Sequence, residues 1–132
     1  MSPMPFCLPR GRLMRVTGHS MTPSLRPGEV VFVDERAYAL RAPKRHELVA
    51  ARPRAFGGKA LVKRLVGLPC ESIQLDGRRW QLGEEQFFLL GNQTTDSADS
   101  RRFGPVSADE LLGPVRRLRP FATVSHLPTA SG

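Results

Sequence analysis

The apolar residues of this chain fall into short, strand-sized runs separated by turn signals, a pattern that predicts β-structure over most of its length. Positions 13–17 form a first strand that runs into a bend around Ser20. Pro27-Gly28 is a turn signal, and the β-branched run at 29–35 follows it. Further strands are predicted at 47–52 and 60–66, with a loop at 53–59 around Gly57-Gly58 between them. Positions 72–75 and 79–82 flank Asp76-Gly77, a dipeptide suited to a tight β-hairpin turn. Strands at 87–90 and 115–119 complete the set.

One segment carries helix signals. Ser107 as N-cap with Glu110 three residues later makes a capping box, and Gly113 can end the turn. The predicted fold is therefore mainly β, a curved and partly closed antiparallel sheet with one short helix. The proline-rich start, 1–12, reads as an extended arm; 13–120 reads as the folded domain; 121–132, small and polar, reads as a disordered tail.

Composition narrows the classes. With 132 residues the chain fits one domain with a modest core. Lys and Arg number 20 against 12 Asp and Glu, a net charge of +8 that can attract nucleic acid, anionic lipid or an acidic substrate. The charges are spread, with small clusters at 41–45, 78–79 and 116–119, and no basic run is interleaved with aromatics. No nucleic-acid partner is expected. Two cysteines, Cys7 and Cys70, make neither a disulfide framework nor a metal site, and no cofactor is expected. No run approaches the roughly 18 apolar residues that a membrane helix needs. The expectation is a cytoplasmic protein without a membrane anchor.

Ser20 sits in Gly18-His19-Ser20-Met21-Thr22-Pro23-Ser24-Leu25, where a glycine and a proline bend the chain and would leave a hydroxyl at a strand end. A serine hydroxyl becomes a nucleophile only beside a group that takes its proton. His19 is adjacent to Ser20 in sequence and so would point away from it, His46 lies in a basic turn, and His126 lies in the tail. None has a convincing orienting carboxylate context, which speaks against a Ser/His/Asp triad. Lys63 has better surroundings. Residues two apart on a strand share a face, so Lys63 projects with Leu61 and Leu65. A lysine desolvated among leucines has its charged form disfavoured and can serve as a base near neutral pH. The plain alternatives are a polar turn serine and an edge-strand lysine.

Three blocks taken together resemble signal peptidase I, a protease family with a Ser/Lys dyad. The Ser20 block with Pro27-Gly28-Glu29 resembles the family's serine box, and Lys63-Arg64-Leu65-Val66-Gly67-Leu68-Pro69 its lysine box. The third box aligns with 91–106, from Gly91-Asn92-Gln93 through Asp99-Ser100-Arg101 to Phe103-Gly104 and Val106. The resemblance implies Ser20 as nucleophile, Lys63 as general base and Ser97 as the serine that orients the lysine. It implies an Asp99–Arg101 ion pair bracing the site, and an oxyanion hole from backbone N–H groups of Ser20 and Gly18. The chain departs from the pattern at Asn92-Gln93, where the family has Asp-Asn, at Cys70, where it has Gly, and at Phe103, where Trp is common.

The size and motifs also resemble a short branch of the superfamily, the nickel-type superoxide dismutase maturation proteases. That branch implies removal of an N-terminal leader from a precursor protein, with no metal in the protease itself. The sheet architecture implied is of the signal peptidase and LexA-like type, though too few residues precede 13 to hold a helix-turn-helix. Processing of a different precursor, and a β-module that binds peptides without cutting them, remain as alternatives.

Overall fold

The computed structural model describes residues 11–92, 98–118 and 128–131. Among these, ten strands follow in chain order: β1 (Gly11–Thr17), β2 (Val30–Asp34), β3 (Leu48–Ala51), β4 (Leu61–Gly67) and β5 (Ser72–Leu75), then β6 (Arg78–Gln81), β7 (Gln86–Leu90), β8 (Val106–Ser107), β9 (Leu111–Arg117) and β10 (Thr129–Ser131). Two single-turn helices, α1 (Ala37–Leu40) and α2 (Ser100–Phe103), and 3₁₀ turns at Arg54–Phe56 and Ala108–Glu110 lie between them. None of the described helices is long and apolar enough to cross a membrane.

Eight strands make one large curved sheet in the order β10-β1-β2-β9-β3-β4-β7-β8, with one additional residue pair joining β10 to β4. The expected mainly β class is what the structure shows. The period-two rule explains how its middle is buried on both faces. In β3, Val49 and Ala51 join one apolar cluster with Leu61, Leu65 and Phe87, while Ala50 joins the other with Val62, Val31 and Met14. Strands covered on both sides carry nearly continuous apolar runs, as 48–51 does. The β5–β6 hairpin stands apart as a two-stranded sheet. Its turn is Asp76-Gly77, with both residues at positive φ (50° and 74°), as a tight two-residue hairpin turn demands.

Three expectations change. The helix expected at 107–113 is a single 3₁₀ turn: the capping box of Ser107 and Glu110 is present, but Leu111 already enters β9. The reason is tertiary. β9 pairs with both β2 and β3, and these ladders outweigh the helix signal. Gly113 ends no helix; it lets β9 pass so close to β2 that an added Cβ would strike the Asp34 carbonyl. Second, the expected single helix is replaced by α1 and α2, each four residues long. Third, within the segment 121–132, Thr129–Ser131 form β10, parallel to β1. Of the arm expected at 1–12, residues 1–10 lie outside the described residues, as do 119–127 and 132, while Gly11 and Arg12 belong to β1.

Candidate active site

β1 delivers the chain directly into Gly18-His19-Ser20, and Gly18 takes φ 82°, a conformation that glycine adopts without the penalty of a side chain. The turn that follows is anchored from below by Met21 and Leu25, both fully buried, and closed by the Leu25 N–H donating to the Met21 carbonyl (2.8 Å). Ser20 is thereby held nearly buried, 6% exposed, at the end of a strand.

Lys63 sits in the middle of β4, paired with Val49 of β3, and is only 1% exposed. Its face is shared with Leu61 and Leu65, as the strand period predicts. Its Nζ is in hydrogen-bond contact with Ser20 Oγ. Tertiary folding thus joins the two groups that sequence reasoning paired, and the sheet interior strips water from the amine. His19 and His46 are both exposed, and His126 lies outside the described residues. The two groups open into a cleft of about 150 Å³, lined also by Thr17, Gly18, Phe56 and Ser131.

Asp99 is fully buried and caps α2. Its carboxylate accepts from the Arg101 guanidinium (Nη2, 2.6 Å; Nε, 3.2 Å), the Arg101 N–H (3.0 Å) and the Gly91 N–H (2.9 Å). Burial alone would push this carboxyl up, but the Arg101 guanidinium and the Gly91 and Arg101 amides together hold it below the usual aspartate range. Ser100, also buried, accepts from the Leu89 N–H (2.9 Å), fastening α2 to β7. Ser97 lies outside the described residues.

Asn92 is one of the positions at which the third block departs from the pattern it resembles. Read from the sequence, it marks the loss of a carboxylate. In the fold its N–H donates to the Ser20 carbonyl (2.7 Å), and its side-chain amide donates to the Met21 carbonyl (3.0 Å) and Ser24 Oγ (2.9 Å). Two of these are donations a carboxylate cannot make. Arg64, on the opposite face of β4 from Lys63, reaches the same loop through Ser24 Oγ (2.9 Å). Sequence held no signal for either contact, because the partners are some 70 and 40 positions apart.

Cys70 adopts φ 69°, so the position does require the left-handed conformation that glycine favours. Among the described residues no cluster of His, Cys, Asp or Glu is arranged to hold a metal ion.

Comparison with known proteins adds an independent line. The family profile described as signal peptidase, peptidase S26, matches residues 11–80 and 76–118. A mitochondrial ATP-independent inner membrane protease subunit 1b of Arabidopsis thaliana is 31% identical, over 79% of this chain and 68% of its own length. A signal peptidase I of Leptolyngbya laminosa is 25% identical, over 78% of this chain and 69% of its own. For a probable signal peptidase I-2 of Synechocystis sp. the figures are 26%, 74% and 58%.

Proposed function

Because the chain belongs to the signal peptidase family, peptidase S26, we propose that it is a serine endopeptidase that cuts leaders from precursor proteins, with Ser20 as nucleophile and Lys63 as general base. The observation that carries this is the contact of a buried lysine amine with a serine hydroxyl at a strand end. An ammonium without water is costly, so burial favours the neutral amine that can accept a proton.

The chemistry follows from that pair. Ser20 Oγ attacks the scissile carbonyl carbon as its proton passes to Lys63 Nζ. The oxyanion is received by the backbone N–H groups of Ser20 and Gly18. Collapse breaks the C–N bond, Lys63 returns the proton to the leaving amine, and an ester on Ser20 remains. Neutral Lys63 then takes a proton from water, the hydroxide attacks the ester carbonyl, and as the C–O bond breaks Lys63 returns the proton to Ser20 Oγ, restoring both groups. Asp99 and Arg101 act as positioning residues: the Asp99 carboxylate holds Gly91, and the neighbouring Asn92 holds the Ser20 loop. Ser97 keeps the role that the resemblance implies, a hydrogen bond orienting Lys63.

The precursor we propose is that of a nickel-type superoxide dismutase, on the strength of the resemblance in motifs; the nickel belongs to the substrate. Mass spectrometry of that precursor after incubation with wild type, Ser20→Ala and Lys63→Met tests both levels. Loss of a discrete N-terminal leader with wild type alone is expected. Cleavage by Ser20→Ala would remove the assigned nucleophile. Cleavage of another leader-bearing precursor but not this one would retain the protease and discard the dismutase.

A further inference from the structure

The last described segment of the chain lies where a substrate would. β10 pairs in parallel with β1 through Arg15↔Thr129, Val16↔Ala130 and Thr17↔Ser131. On its other side, Ser131 pairs with Leu61 of β4. β1 runs straight into Ser20, and Leu61 is two residues from Lys63 on the same face. The segment is thus threaded between the two strands that carry the candidate dyad, and Ser131 lines the same cleft as Ser20 and Lys63.

Its bonds are those of an added strand. The Arg15 N–H donates to the Pro128 carbonyl (2.9 Å), and the Ser131 N–H donates to the Ala60 carbonyl (3.1 Å). An extended peptide docking by strand addition beside Ser20 would need these same edge groups. Ala130 is 1% exposed, packed in the cluster that holds Met14, Val16 and Met21, so the position accepts a methyl and little more.

We propose that β10 is a built-in occupant of the substrate groove, so that residues 128–131 inhibit the site by competing with the substrate peptide. This rests on the reading of Ser20 and Lys63 as the reacting pair. The hold is of the right strength for a reversible stopper. Four residue pairs, three with β1 and one with β4, and one buried alanine form a smaller contact than the five-pair β1–β2 ladder. Alone such a strand would bind weakly, but its covalent tether supplies an effective concentration in about the millimolar range. The substrate's apparent affinity then falls by the fraction of molecules whose groove is open.

The test compares the full chain with one ending at residue 127 and with full-length Ala130→Arg, whose side chain cannot enter the buried position. Binding of a fluorescein-labelled peptide with the sequence of residues 124–132 is read by anisotropy in a Ser20→Ala background, where nothing is cut. Precursor cleavage is read with Ser20 intact. Expected are about tenfold tighter peptide binding for both variants, and a KM lowered about tenfold with kcat unchanged. Equal binding and KM across the three chains would overturn the proposal. So would loss of cooperative thermal unfolding in both variants, which would make β10 a structural strand. Tighter peptide binding by both variants with no cleavage by any chain would keep the occluded groove and remove the Ser/Lys chemistry instead.

Discussion

Replacing Asp99 by Asn should destabilise the domain by about 3 kcal/mol. The fully buried carboxylate accepts four hydrogen bonds, three from Arg101 and one from the Gly91 N–H. Asparagine can keep Oδ1 and its two bonds to Arg101. Its amide nitrogen, however, would face the Gly91 N–H and Arg101 Nη2, donor against donor. Hydrogen bonds to charged groups are worth roughly 1.5–3 kcal/mol each, and removing one partner of a buried ion pair costs about 3–5 kcal/mol. The Arg101 side chain is 18% exposed, so water recovers part of its loss and the lower end applies. Urea unfolding of wild type and variant at pH 7 measures the difference. The pH dependence has a definite sign. Because the folded state lowers the Asp99 pKa, its contribution is complete above the ordinary aspartate value and disappears as pH falls through the lowered one. The gap between the two proteins should therefore close below about pH 4. A gap under about 1 kcal/mol at pH 7, or one that is unchanged down to pH 3, would refute the reasoning.

Lys63→Met should reduce cleavage by at least about a thousandfold while leaving the melting temperature equal or higher, since it removes a buried amine from an apolar strand. Single-turnover cleavage and thermal denaturation check the two halves. Asn92→Asp should lose both side-chain donations to the Ser20 loop, at Met21 and Ser24. We expect kcat/KM to fall about tenfold, equivalent to ~1.4 kcal/mol, in steady-state assays. Cys70→Gly should raise stability by about 1 kcal/mol in denaturant titrations, because the backbone already occupies the left-handed region at this residue.

Spacing along the chain determined a good part of this protein. Short apolar runs between turn dipeptides indicated a mainly β domain, and Asp76-Gly77 marked a hairpin whose φ angles require those residue types. The strand period placed Lys63 with Leu61 and Leu65, the face on which it lies. These features are local, decided by dihedral preference and by which neighbours share a face. Other features were settled by partners far away in the chain. The 107–110 capping box formed as the sequence indicated, yet it closed a single turn because Leu111 onward pairs with β2 and β3. The donors of Asn92 gained meaning only when β7 brought them beside Ser20, and Cys70 showed the demand of its position only through its backbone angle. β10 was invisible to composition, since three small residues form a strand only where two neighbouring edges offer them hydrogen bonds. Those edges belong to β1 and β4, brought together by long-range sheet pairing that no local pattern encodes.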